Sequence, residues 1–224
     1  MKEHSIIFSA PMVRAIIEGR KTQTRRIIKN PEWYGCTTGD CPHSTQAACD
    51  EAMVFFAPYP VGTRIWVKET WSPDHAAFYP HFPIVYRADG EMDIEHGEVY
   101  SPEAKRTYPF RWRPSIHMRR SDSRLTLEVT GVKVERVQSI IALDAIAEGW
   151  PSATKNLVCC KTDPPCMWEL ATQGDMAAAL PDSCEAEDAI EWFSDLWISI
   201  NGEDSWESNP WCWCYTFKVL EIKK

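Results

Sequence analysis

The chain has 224 residues, 44% of them hydrophobic, enough to bury the core of one generous domain or of one domain carrying insertions, which excludes disorder throughout. Its formal net charge of −8 excludes a protein that coats nucleic acid by bulk electrostatics, yet the charge is uneven: residues 1–149 hold 19 Lys+Arg against 19 Asp+Glu, and residues 150–217 hold 2 against 12. No basic start precedes a long apolar run and nowhere do 18 apolar residues follow one another, so neither a signal peptide nor a membrane span is expected, and the cytoplasm is the expected compartment.

Ser5-Ile6-Ile7-Phe8 reads as a short strand. Pro11 suits a first helical position, Met12, Ala15 and Ile16 recur at helical spacing, and Gly19 is a fitting stop, so a short helix is expected over 11–18. Directly behind it, Gly19-Arg20-Lys21-Thr22-Gln23-Thr24-Arg25-Arg26 sets four cations among two threonines. The negative end of a helix accounts for Arg20 and Lys21 but not for four cations. A turn of this kind suits an anion or a polar planar ligand; a solvated basic turn is the plainer alternative.

Residues 31–60 run without sustained periodicity and read as an insertion. Val61-Gly62-Thr63 turns into Arg64–Trp71, where Ile65 and Val67 alternate with charged neighbours as in a half-buried strand ended by Glu69 and Trp71. Ile84–Tyr86 reads as a further short strand with Ala88-Asp89-Gly90 as its turn. Phe110–Arg120 interleaves a second basic cluster with aromatic and hydroxyl groups. Leu125, Leu127 and Val129 then alternate with polar residues, and the alternation resumes at Val132 and Val134, so Gly131 is expected to mark a bulge or bend in a long strand. Ser139 or Asp144 is expected to cap a short helix ending near Glu148-Gly149. A longer helix is expected over 186–200, with Ile190, Phe193, Leu196, Trp197 and Ile200 on one face. Trp211–Ile222 reads as a closing strand in which Cys212 and Cys214 share a face as core or barrel wall.

Nine cysteines, an odd number, fit reduced thiols or metal ligands better than a disulfide framework. Cys36, Cys41, His43 and Cys49 place four candidate ligands within fourteen residues, in a loop with too little apolar content to bury a core of its own. Their spacing is not that of a CxxC knuckle, so a structural zinc, surplus thiols and a disulfide formed on oxidation all stay open. No other cofactor is required.

Taken together, Ile17–Arg26, Val61–Trp71, Leu125–Val137 and Ala145–Gly149 resemble the ASCH domain of the PUA-like superfamily. Trp112–Met118, with Ser205-Trp206 and Asn209-Pro210-Trp211, is similar to the larger ASCH-containing proteins of phages and prophages. The resemblance covers residues 5–28, 58–148 and 188–222. It implies an α+β fold, a small β-barrel with flanking helices, here a single monomeric domain over 1–224 with insertions at about 30–57 and 151–186 that the resemblance does not cover. It also implies a cleft for nucleic acid or a nucleobase.

Some small members of that family are amidohydrolases that remove an acetyl group from N4-acetylcytidine. Carried over residue by residue, their pattern falls on Lys21, Thr24 and Glu148. A threonine hydroxyl needs a base to become a nucleophile, and Lys21 could act as that base if neutral; Arg20, Arg25 and Arg26 would favour the uncharged amine. Glu148 would pass a proton to the leaving amine, and Arg26 would hold an oxyanion. The binding alternative uses Arg20, Arg25, Arg26, Glu69, Trp71, Trp112, Arg113, Ser115 and His117, within a wider stripe that includes Arg14, Arg111, Arg119, Arg120 and Arg124. Recognition of RNA, single-stranded nucleic acid or a modified nucleoside in a basic cleft is the favoured expectation, with amide hydrolysis beside it. A third reading is a phage accessory protein whose acidic insertion binds a host protein.

Overall fold

A computed structural model of the chain describes residues 3–29, 52–73, 84–90, 98–101, 105–151 and 184–223. Cys36, Cys41, His43 and Cys49 lie outside the described residues, as do most of the first expected insertion and nearly all of the second. The fold is mixed α+β. Its described elements are β1 (His4–Ile7), α1 (Ala10–Ile17), β2 (Gln23–Ile27), β3 (Arg64–Lys68), β4 (Trp71–Ser72), β5 (Val85–Tyr86), β6 (Glu98–Ser101), β7 (Arg106–Pro109), β8 (Leu125–Arg136), α2 (Ala142–Ala147), α3 (Cys184–Asn201) and β9 (Trp211–Ile222). Five strands form one sheet in the order β1-β3-β8-β9-β2, while β4 pairs with β5 and β6 with β7. None of the described helices is long and apolar enough to cross a membrane.

The chain divides into two compact units. The first comprises Met1–Gly19, Tyr59–Gly131 and Phe217–Lys224. In it β1 runs parallel to β3, His4 opposite Ile65, and β3 runs antiparallel to β8, Ile65 opposite Leu127. The alternation read from sequence sends Ile65, Val67, Leu125, Leu127 and Val129 inward, where they are buried with Ile6, Phe8, Val13 and Ile16. Helix α1 ends at Gly19, whose φ of +76° is a left-handed conformation that glycine adopts without steric cost and whose N–H donates to the Ile16 carbonyl.

The second unit comprises Arg20–Pro58 and Val132–Thr216. Its core gathers Val137, Ile140, Ala145, Ala189, Phe193, Trp197, Cys212 and Cys214. Of the stripe expected on α3, Ile190, Phe193 and Trp197 therefore meet the shared face of the two cysteines, whereas Ile200 is exposed. Burial lifts the Cys212 thiol to about 12 and raises that of Cys214 as well, so both stay protonated core groups at neutral pH. The Asn-Pro-Trp motif is a structural clamp. Asn209 sits at φ +42°, its carbonyl accepts from Arg136 and its Oδ1 from the Gln138 N–H, and the Arg136 guanidinium lies 4.4 Å from the Trp211 ring centroid.

The long strand expected across Gly131 is β8, which is continuous through that residue. Three elements differ from expectation. The basic stretch is not a turn throughout, because Gln23–Ile27 is a strand paired antiparallel to β9 from Gln23 opposite Thr216 to Ile27 opposite Cys212. Helix α2 has Ile141 at its N-cap position, so neither Ser139 nor Asp144 caps it, and Asp144 sits instead in the first turn. The β6–β7 hairpin has no counterpart in the sequence reading, since its residues lack apolar alternation.

Phe193 is 3% exposed at the centre of the second unit's core. Phe193→Ala should lower unfolding free energy by about 3–5 kcal/mol, read from the urea midpoint. A loss below about 1 kcal/mol would mean that this core is loosely packed.

Candidate functional site

The residues expected to act fall into two groups, one within each unit. In the second unit, the Lys21 ammonium donates to Glu148 Oε2 at 2.6 Å and to the Glu148 carbonyl at 2.9 Å. Glu148 occupies the C-cap of α2, and the Thr22 N–H donates to the Ala147 carbonyl beside it, fixing the approach. Arg25 projects from β2 into the same cluster: Nη1 donates to Glu148 Oε1 at 3.1 Å, and Nη2 to Asp144 Oδ2 at 2.7 Å and Glu135 Oε2 at 3.1 Å. Its guanidinium also lies 5.6 Å from the Phe193 ring centroid. Lys133 closes the network on Glu135 and Asp144 at 2.7 and 2.8 Å. Arg20 Nη1 donates to the Gly149 carbonyl at 2.8 Å, just past the negative end of α2.

Three cations thus meet three carboxylates inside a packed unit. Lys21 is 1% exposed and Glu148 4%. Burial pushes the Lys21 ammonium below its ordinary value; the Glu148 carboxylate opposes this, and Arg26 and Arg25 add to it. Burial would raise the Asp144 carboxyl, but Lys133 and Arg25 outweigh it and hold Asp144 below its usual range. The structure brings Lys21, Arg25 and Glu148 together. Alternation along β2 sets Gln23 and Arg25 on one face and Thr24 and Arg26 on the other, with Thr24 opposite Tyr215 and Arg26 opposite Trp213 in register. The Thr24 hydroxyl is therefore on the face of β2 away from the arginine that shares Glu148.

In the first unit, Glu69 is buried at the end of β3 and receives a bidentate pair from Arg124, Nε to Oε1 and Nη2 to Oε2, both at 3.0 Å. Arg124 Nη1 also reaches Asp89 at 2.6 Å, and its guanidinium lies 4.1 Å from the Tyr86 ring centroid. Burial raises the Glu69 carboxyl against the pull of Arg124. Trp71 and Arg113 exchange backbone hydrogen bonds, and the Arg113 guanidinium lies 5.7 Å from the Trp71 ring centroid. Trp71 is itself buried, and its Nε1 has no hydrogen-bond partner among the described residues. Ser115 and His117 bound a 3-10 turn, Ser115 half-buried and His117 exposed. Arg120 pairs with Glu3 at 2.7 Å.

The same unit holds a cavity of about 570 Å³, within the 300–1,000 Å³ common for small-ligand sites. It is walled by Ser9 and Pro11 at the start of α1, by Arg14, Thr70 and Arg87, and by Trp112. Helix α1 packs against the 3-10 turn Arg87–Asp89, whose Arg87 N–H donates to the Thr70 carbonyl. Gly90 ends that turn at φ +143° and ψ 178°, a conformation essentially confined to glycine, and also lines the cavity. Trp112 is held edge-on against Phe110 with ring centroids 5.0 Å apart. Arg14 and Arg87 are exposed, and neither guanidinium has a partner among the described residues. Of the residues expected to contact nucleic acid, Trp112 and, from the wider stripe, Arg14 line this cavity among the described residues. Arg87 and Thr70 are not read as functional from sequence; their only signal is adjacency to the expected turn and strand end.

Among the described residues no group of three or more His, Cys, Asp or Glu side chains could hold a metal ion. Comparison with protein-family models, curated proteins and solved structures finds no match to this chain.

Because Glu148 is shared by two buried cations, Glu148→Gln should cost about 3–5 kcal/mol of stability by leaving both without their carboxylate, measured by denaturant unfolding. A neutral outcome would show that solvent reaches this network. The depressed Asp144 carboxyl adds stability that is complete above its ordinary value of 3.8 and lost as pH falls through the lower folded-state value. Asp144→Asn should therefore flatten the loss of stability below pH 3.8, and an acid-unfolding curve parallel to the parent's would contradict that assignment.

Proposed function

We propose that this chain binds RNA or a modified nucleobase, and that the bound base lies in the first unit's cavity. The observation that carries this reading is the combination on one wall set of two exposed guanidinium groups without partners among the described residues, Arg14 and Arg87, with an indole fixed by an edge-on neighbour, Trp112. Aromatic faces stack unpaired bases without regard to sequence, and guanidinium groups meet phosphate oxygens in a fork geometry. The cations of the first basic stretch support the reading less, since Lys21 and Arg25 engage carboxylates and Arg20 engages carbonyls. The order of a strand, a helix, a cationic stretch and a sheet of five strands supports assigning the fold to the ASCH branch of PUA-like barrels. Two buried free thiols, Cys212 and Cys214, are in keeping with a reducing cytoplasm.

A second reading, amide hydrolysis on N4-acetylcytidine-type nucleosides, is favoured by one observation. The Lys21 ammonium is held below its ordinary value at 2.6 Å from Glu148, as a lysine poised to act as a base would be. In this reading a neutral Lys21 takes the Thr24 hydroxyl proton as Thr24 attacks the acetyl carbonyl, that proton passes through Glu148 to the leaving amine as the C–N bond breaks, and water then hydrolyses the acetyl-Thr24 ester to release acetate. It requires the network to open and the Thr24 hydroxyl to turn toward it, because the Lys21 side chain is 0% exposed and Thr24 lies on the other face of β2 from Arg25.

Affinity for a single-stranded oligoribonucleotide, followed by fluorescence anisotropy, should fall with salt, and Arg87→Ala should make the log–log slope shallower by about 0.7. An unchanged slope would remove this cavity from the binding surface. For the second reading, N4-acetylcytidine incubated with the protein should give cytidine by chromatography, at a rate reduced by about a hundredfold or more in Lys21→Ala and Thr24→Ala. No cytidine from the parent protein would dismiss hydrolysis of this substrate, and turnover surviving both substitutions would dismiss these roles.

A further inference from the structure

Resting on the binding reading above, we infer that the first unit's cavity is built for a nucleoside 5′-monophosphate group, a phosphate monoester carried on a base, and not for the internal phosphodiester of a polynucleotide. The cavity holds about 570 Å³, room for one nucleotide. Its polar wall concentrates positive charge. Arg14 and Arg87 contribute two full charges, and the start of α1, an eight-residue helix whose Ser9 makes no side-chain cap bond, contributes the positive dipole end of a helix, though with fewer first-turn donors than usual because Pro11 has no N–H.

A phosphate monoester carries about two negative charges near neutral pH, and a diester carries one. Two guanidiniums therefore match the monoester and over-fill the diester. The neighbouring carboxylates do not cancel this match, because Glu69 and Asp89 are already bonded to Arg124 at 2.6 to 3.0 Å. That ion-pair cluster also positions the site, anchoring the residue before Thr70 and the residue before Gly90. Trp112 then offers a ring for the base, and Thr70 a hydroxyl within the same wall. The shared chemistry has two sources: a free mononucleotide, and the phosphorylated 5′ end of an RNA.

The test is calorimetric titration of the full chain with each of the four ribonucleoside 5′-monophosphates, the matching nucleosides, inorganic phosphate, and one oligoribonucleotide with either a 5′-phosphate or a 5′-hydroxyl. Monophosphates or the phosphorylated oligonucleotide should bind at least about tenfold tighter than their unphosphorylated counterparts. Whichever of the two binds tighter identifies the source. Arg14→Ala and Arg87→Ala, both at exposed positions, should abolish that preference, whereas Arg64→Ala, an exposed arginine of the same unit outside the cavity, should retain it. Trp112→Ala should weaken nucleotide binding while inorganic phosphate binding is unchanged, which also certifies that the variant is folded. Equal affinity for the two oligonucleotide forms would overturn this inference and leave RNA binding standing. Failure of every base-containing ligand to bind would overturn both. Inorganic phosphate binding as tightly as any nucleotide would overturn the role given to the base.

Discussion

The second unit is organised by one carboxylate. Glu148 receives Lys21 on Oε2 and Arg25 on Oε1, and neither cation has water to fall back on, since their side chains are 0% and 1% exposed. Desolvating three such groups is costly, and only close, complementary contacts offset it. The cost explains why the rest of the cluster exists. Asp144 and Glu135 accept from Nη2, Gln23 Oε1 accepts from Nη1, the buried Nε has no partner among the described residues, and Lys133 restores the charge balance. It also explains why a stretch as cationic as Arg20–Arg26 can continue into a sheet strand, because the charge is neutralised from α2 and β8 instead of by solvent.

Much of the framework was legible in sequence because it obeys simple periodicities. Leu125–Val129 alternate apolar and polar, most of the α3 stripe faces the core, and Gly19 stops α1 where its conformation is needed. The illegible parts are those whose character depends on a distant partner. Nothing local marks Gln23–Ile27 as a strand; its pairing with β9 and its carboxylate partners at positions 135, 144 and 148 supply the reason. The β6–β7 hairpin is similarly silent, being short and polar.

The candidate site was legible in a different proportion. Chemistry at Lys21 and Glu148 follows from residue types and spacing, and the two are in contact across 127 positions of sequence. Sequence could not show that the pair is enclosed, nor that alternation turns Thr24 to the other face of β2. In the first unit, Trp112 was readable as an aromatic within a basic cluster, but Arg87 and Thr70 become part of a cavity only through the packing of α1 on the 3-10 turn.

The contrast between the two groups of arginines decides which of them can serve a ligand. Arg25, Arg120 and Arg124 each face a carboxylate within 3.1 Å, so an incoming phosphate would have to displace an existing partner, which at Arg25 and Arg124 leaves a buried or half-buried acid uncompensated and at Arg120 frees the exposed Glu3. At Arg14 and Arg87 no partner among the described residues has to be displaced, so a charge-assisted contact is open to a newcomer. A count of basic residues treats all five alike. What separates them is where the nearest described acid lies, and on that criterion the two arginines of the α1 cavity are better placed to meet an anion than Arg25 in the most conspicuous cationic run.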